Sequence, residues 1–446
     1  MMNTPICDFV QQYARSDALR LHMPGHKGTP LLGMEQLDIT EIDGADSLYE
    51  ATGIICQSEK NASALFGADT FYSTEGCSQC IRAMLYLATL YAKQQGRRPL
   101  IAAARNVHKS FVTAAALLDM DVLWLCSHER DSYLSCKLDA QTLDARLAEH
   151  KPAAVYLTSP DYLGNMADIC AISEVCHRHD CLLLVDNAHG AYLRFLQPSQ
   201  HPVDLGADIC CDSAHKTLPV LTGGAYLHIR KDAPTLFLEQ AKNALMLFGS
   251  TSPSYLILQS LDAANAYLDN GYSQKLEEFI SHVHQLKGVL TAHGYILRGD
   301  EPLKLTLWAK PFGYTGRQLA DILLERNIVC EFSDPDFAVM MLTPETGESG
   351  LKRLKEALLS IPQKTPIGEK PPVYHGCDPV MSIKEAVMSP CEILSAEKSI
   401  GRVLAAPCVS CPPAVPIVVC GERIDEAALC CFAYYGVENC TVVCGE

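Results

Sequence analysis

The sequence predicts an α/β protein: a mostly parallel central sheet flanked by helices, then a small α/β domain and a small C-terminal domain. Three observations carry that expectation. From about residue 65 to 230 short apolar runs alternate with amphipathic stretches, and such alternation builds a parallel sheet covered on both faces. With 446 residues, 48% of them hydrophobic and 20% charged, the chain can bury a large core and form more than one domain. The Pro- and Lys-rich stretch Pro362–Pro372 reads as a linker that sets off a Cys-rich last module.

Each element follows from its local pattern. Candidate strands are Thr70–Ser73, Leu100–Ala104, Val122–Cys126, Ala153–Thr158, Cys181–Asp186, Asp208–Asp212 and Ala225–Ile229. A helix is expected over Ser78–Gln95, where Ile81, Met84, Leu85 and Ala88 recur at helical spacing. Others are expected over Lys109–Asp119, Ala140–His150 (capped by Asp139) and Ile172–Asp180. Leu236–His293 reads as mainly helical, and Leu303–Ile361 as strand, helix, strand, strand, helix. The expected spans are an N-terminal segment 1–60 packing on a major domain 61–295, a small α/β domain 296–361 and a C-terminal domain 373–446.

Composition narrows the function. A formal net charge of −16 argues against nucleic acid and anionic membranes as partners and suits a cationic small molecule. No apolar run reaches the ~18 residues that span a bilayer. The first residues lack a basic-then-apolar leader, so the expected location is the cytoplasm. Twenty-one cysteines then read as reduced thiols, mostly small core hydrophobes. Two C-x-x-C spacings occur, Cys77/Cys80 and Cys408/Cys411, but neither is matched by a second pair or by histidines at finger spacing. No metal is expected.

In a parallel sheet, ligands bind at the carboxyl ends of strands. After Thr70–Ser73 come Gly76, Cys77 and Ser78, opening a helix: either a plain cap or a phosphate site. After Leu100–Ala104 comes His108, either a surface imidazole or a ring that stacks on a planar ligand. Asp186 ends the run LLLVD and is followed by Ala188 and His189; its carboxylate could cap a helix, ligate a metal or pair with a cationic ring nitrogen. After Asp208–Asp212 come Ser213, His215 and Lys216, followed by the uncharged turn TLPVLTGG. A lysine held there, short of water, is suited to condense with an aldehyde. Phosphate cradle, stacking ring, carboxylate and lysine together match what pyridoxal 5'-phosphate requires.

The sequence resembles the Orn/Lys/Arg decarboxylases of pyridoxal-phosphate fold type I, in their short form without an N-terminal wing domain. The matching pieces are LHMPGHKG (Leu21–Gly28), DITEIDGADSL (Asp38–Leu48), LFGAD (Leu65–Asp69), RNVHKS (Arg105–Ser110), VDNAHGAYLRF (Val185–Phe195) and DSAHKTLPVLTGGAYLH (Asp212–His228). CPPAVPIVVCGERI (Cys411–Ile424) looks like the proline-rich segment of the family's C-terminal domain.

The resemblance implies decarboxylation of lysine, arginine or ornithine to the amine, in polyamine-related metabolism, by a homodimer with shared active sites. Lys216 would form the Schiff base, Asp186 would pair with the pyridine nitrogen and His108 would stack on the ring. Ser78, with the backbone of Gly76 and Cys77, would hold the phosphate, joined by Ser213, His215 and Thr251. Ala188 and His189 would line the other face of the ring. His215, His189 or Lys216 would protonate the product carbon. Asn187, Tyr192 and Cys77 depart from the family's usual acid, histidine and hydroxyl residue. The alternatives are another fold type I enzyme, an aminotransferase or lyase, and a non-catalytic protein that binds the cofactor. An aminotransferase would grip the substrate carboxylate with an arginine, for which Arg317 and Arg353 are available.

Overall fold

The computed structural model describes residues 2–127, 132–372, 376, 379–407 and 413–445. Cys408 and Cys411, the second C-x-x-C, lie outside the described residues. Helices α1 (Pro5–Arg15) and α2 (Ile54–Phe66) precede strand β1 (Asp69–Ser73) and helix α3 (Gly76–Gln94). Next come β2 (Leu100–Ala104), α4 (Lys109–Leu118), β3 (Asp121–Leu125), α5 (Ala140–His150) and β4 (Ala154–Thr158). Then follow α6 (Ile169–Arg178), β5 (Leu182–Asp186), β6 (Ile209–Asp212), the single turn α7 (Ala214–Thr217) and β7 (Ala225–Ile229). Three helices, α8 (Thr235–Met246), α9 (Tyr255–Asp269) and α10 (Tyr272–Ala292), lead to β8 (Ile296–Arg298), β9 (Lys304–Trp308), α11 (Gly316–Leu324), β10 (Phe332–Ser333), β11 (Phe337–Met341) and α12 (Gly347–Leu359). The last module holds α13 (Ile383–Met388), β12 (Cys391–Ser395), α14 (Glu426–Tyr435) and β13 (Asn439–Val443).

The chain forms two compact units, one of residues 1–97 and 169–276, the other of 98–168 and 277–446. In the first, the strands lie in the order β1-β7-β6-β5. β5 and β6 are parallel, whereas β7 runs antiparallel to both β6 and β1. Two reversals restore direction, so β1, β6 and β5 all point their carboxyl ends to one edge. The registers Ser73↔Ala225, Asp212↔Tyr226 and Asp186↔Cys211 put Ser73, Asp212 and Asp186 along that edge. All five residues of β5 are buried, as expected of a continuous Leu/Val run between two covered faces. Burying each of its apolar side chains stabilises by about 1.5–3 kcal/mol.

In the second unit β4, β2 and β3 pair in parallel in that order. A four-stranded antiparallel sheet, β10-β11-β9-β8, and the hairpin-like pair β12-β13 complete it. α5 occupies the expected span, and Asp139 caps it by accepting the Thr142 N–H at 2.8 Å. The buried Arg105 guanidinium fixes the last module to β2. It donates to Glu422 at 2.9 Å and to the Pro416 and Ile417 carbonyls, and it lies over the Trp124 ring. No helix among the described residues is long and apolar enough to cross a membrane.

Candidate active site

The site assembles on the carboxyl edge of β1, β6 and β5. α7 follows β6 after one residue, Ser213, and carries His215 and Lys216. Lys216 Nζ lies 2.9 Å from His189 Nε2, so the ammonium donates and the imidazole accepts. His189 is buried and sits three residues beyond Asp186, in the loop after β5. The neighbouring strands thereby bring an amine and a strand-end carboxylate to one edge. Asp186 is itself only 2% exposed; its Oδ1 accepts the Ala188 N–H at 3.1 Å and faces the Cys211 thiol at 3.9 Å.

The helix start on this edge is α3. It begins at Gly76, two residues before the expected Ser78, so Gly76, Cys77 and Ser78 form its first turn. No side chain caps it. Gly76 has φ +71°, a left-handed value that glycine adopts without strain. A Cβ on Gly76 would lie 3.9 Å from His215 Cε1, which places that ring against the turn. The Gly76 N–H donates to the Gly223 carbonyl at 2.7 Å, and a Cβ on Gly223 would stand 2.9 Å from the Thr74 carbonyl oxygen. The pair of glycines after Lys216 therefore allows the following turn to close on the helix start.

His215 Nδ1 lies 2.9 Å from the Gly224 carbonyl and must carry the proton there, since a carbonyl only accepts. Burial lowers the His215 pKa against that hydrogen bond, so near neutral pH Nε2 is left with its lone pair. Thr251 is exposed, and the preceding Ser250 N–H donates to Glu75 beside the start of α3. His108 belongs to the second unit, where it caps α4: its Nδ1 accepts the Ser110 N–H at 3.1 Å. That bond leaves the proton of a neutral ring on Nε2.

The departures from the family pattern have structural roles. Asn187 is fully buried and donates to Asp212 at 2.7 Å, tying the loop after β5 to β6. Asp212 also accepts from His201 and His228 at 3.0 and 3.1 Å, with all three side chains at 0% exposure. Burial pushes the Asp212 carboxyl up, but the two imidazoles outweigh it and hold it well below the usual carboxylate range. Tyr192 is buried in the turn Ala191–Phe195. The Cys77 thiol turns inward and stands with Asp186 and Cys211, their ligand atoms within 4.8 Å of one another. Sequence spacing showed neither this cluster nor the Asp212 network.

An α/β sheet with a half-buried lysine at the carboxyl end of one strand and a buried aspartate at the end of the next is the architecture of fold type I enzymes. A solved lysine decarboxylase, LdcF of Francisella novicida, superposes with a TM-score of 0.79 over 99% of this chain and 81% of its own, at 16% identity. A profile of "Orn/Lys/Arg decarboxylase, major domain" matches residues 4–306, and the chain belongs to that family of decarboxylases. The Bacillus subtilis protein YaaO is 31% identical over 96% of this chain and 93% of its own length. The arginine decarboxylase of Bacillus subtilis is 28% identical over 95% and 91%.

Proposed function

We propose that this enzyme uses pyridoxal 5'-phosphate to decarboxylate a cationic amino acid, arginine before lysine or ornithine. The contact between Lys216 Nζ and His189 Nε2, on the edge that carries Asp186, supports this reading most directly. The choice of arginine rests on the relatives of about 28% identity that bear the name arginine decarboxylase. The residues fit the cofactor: an uncapped helix start for its phosphate, a buried carboxylate for its ring nitrogen and an amine for its aldehyde.

When bound, pyridoxal phosphate supplies an electron sink for the bond that breaks between Cα and the carboxylate. Lys216 would provide the amine that holds the cofactor's aldehyde. Asp186 favours a protonated ring nitrogen opposite it. The N–H groups of Cys77 and Ser78 in the first turn of α3, with Ser78, Ser213, His215 and Thr251, would hold the phosphate, while the Gly76 N–H, expected to join them, is taken by the Gly223 carbonyl. Ala188 and His189 would line one face of the ring, and the resemblance assigns the stacking position to His108. His189 accepts a proton from Lys216 Nζ along their 2.9 Å contact, which leaves the amine nucleophilic. The same pair would return that proton to Cα.

For the aminotransferase alternative, Arg317 donates to the Tyr435 carbonyl at 3.0 Å and Arg353 to the Arg326 carbonyl at 2.7 Å, so each guanidinium is anchored to backbone through one of its nitrogens. A second copy of the chain as partner is supported by the apolar side chains of Leu19, Leu21, Leu31 and Leu32, each at least 80% exposed. All described cysteines are free, which suits a reducing compartment such as the cytoplasm.

The test is borohydride reduction of the cofactor-loaded chain together with a screen for CO₂ released from arginine, lysine and ornithine. The expected result is cofactor fixed on Lys216 and CO₂ from one of the three. In Lys216→Ala both should vanish, with a rate loss of at least about 10³-fold. Cofactor still fixed to the chain of that variant would overturn the assignment.

A further inference from the structure

Two buried clusters on the site's edge have the composition of metal ligands: Cys77, Asp186 and Cys211, and His201, Cys210 and Asp212. The second is accounted for. Asp212 already takes two imidazoles and the Asn187 amide, which together satisfy its carboxylate. The first is different in kind. Its two thiols and one carboxylate come from three elements: the first turn of α3, the end of β5 and the facing residue of β6. All three residues are buried, at 7%, 2% and 0% exposure.

We propose that Cys77, Asp186 and Cys211 bind a soft divalent cation, Zn²⁺ or Cd²⁺, in the cofactor-free protein, and that metal and cofactor exclude each other. Two thiolates and a carboxylate are a zinc-type donor set, and three protein ligands leave a fourth position for water. A zinc–sulfur bond of about 2.3 Å gives a tetrahedral edge of about 3.8 Å, so the ligand atoms, now within 4.8 Å, need to close by at most about 1 Å. Binding is a substitution: each thiol gives its proton to solvent as its sulfur bonds the metal, with no change of oxidation state. The exclusion rests on the reading above, in which Asp186 meets the ring nitrogen; a carboxylate bonded to a metal cannot do both. C-x-x-C spacing could not reveal the site, because Cys77 and Cys211 meet only through the sheet.

The test is a Cd²⁺ titration of the full chain freed of cofactor, read by thiolate-to-metal ultraviolet absorption. Wild type is compared with Cys77→Ser, Cys211→Ser and, as a control at an exposed cysteine, Cys391→Ser. Circular dichroism establishes that each variant is folded, and either cluster variant alone suffices. Each cluster variant should lose one tight equivalent, with affinity there down at least 100-fold, while the control titrates like wild type. Identical titrations in wild type and the folded cluster variants would overturn the site. In a second arm, pyridoxal phosphate is added to the Cd²⁺-loaded protein. Cofactor uptake should fall in wild type and recover in Cys77→Ser. Uptake with the tight Cd²⁺ retained would overturn the exclusion and leave the site standing. Failure of metal-free wild type to take up cofactor would overturn the reading of Asp186, while the first arm still decides the metal site.

Discussion

Two aspartates end neighbouring strands of one sheet and do opposite work. Asp212, at the end of β6, is fully buried among His201, His228 and Asn187. Asp186, at the end of β5, meets a backbone N–H and a thiol on the edge that carries Lys216. One carboxylate is spent inside the fold, accepting hydrogen bonds from two imidazoles and an amide. The other, on the proposed reading, meets the positive charge of the cofactor's ring nitrogen. Residue type and burial are the same; only the partners differ, and the proposed division into scaffold and chemistry rests on them.

The comparison breaks most sharply in mutants. Asp186→Asn should lower the decarboxylation rate by about 10²–10³-fold, the scale of losing one electrostatic partner in a water-excluded site. Its urea midpoint without cofactor should stay near wild type. A rate within threefold of wild type would make Asp186 scaffold after all.

Asp212→Asn should act the other way. Removing one partner of a buried ionic network costs about 3–5 kcal/mol, seen as a lower urea midpoint, while the rate per folded molecule changes little. A large rate loss with unchanged stability would reverse the two roles.

Glu422→Gln tests the same logic in the second unit. It leaves the Arg105 guanidinium buried without its carboxylate, although the amide oxygen still accepts, and should cost about 3 kcal/mol. Because Arg105 ties the last module to β2, protease cleavage within residues 379–445 should accelerate as well.

The smallest effect is a pH dependence at a carboxylate where burial outweighs its partners. Burial pushes Asp334 up to about 7, against the backbone N–H groups of Phe337 and Asp336 that it accepts from. A folded pKa above the unfolded ~3.9 means stability present in full below about pH 4 and lost as pH rises through 7. Asp334→Asn keeps an acceptor and removes the titration. Relative to wild type it should gain about 1–3 kcal/mol between pH 5 and pH 8 in urea unfolding. Parallel pH profiles would show that Asp334 is ionised throughout.

Much of the fold was legible along the chain. β2, β7 and α5 fall on their expected spans, and β3, β4, β5 and β6 within a residue of theirs. The reason is physical: a strand buried on both faces is an uninterrupted apolar run, and its ends are marked by the first polar residue. The helix cap at Asp139 was readable because capping is local. The antiparallel course of β1 and β7 was not, since strand direction depends on crossovers rather than composition. Neither α1 nor α2 follows from the expected elements of residues 1–60, where the sequence offered motifs rather than periodicity.

The sequence by itself determined the alternation of strands and helices, the lysine and aspartate at strand ends, and the glycines that let a turn close on a helix start. These are properties of a few adjacent residues. Only the tertiary structure decided that His189 meets Lys216, that Asn187 serves Asp212, and that Cys77 stands beside Asp186 and Cys211. Those pairs are far apart in the chain and one strand apart in space. No local pattern encodes them, because strand order and register set which side chains share an edge.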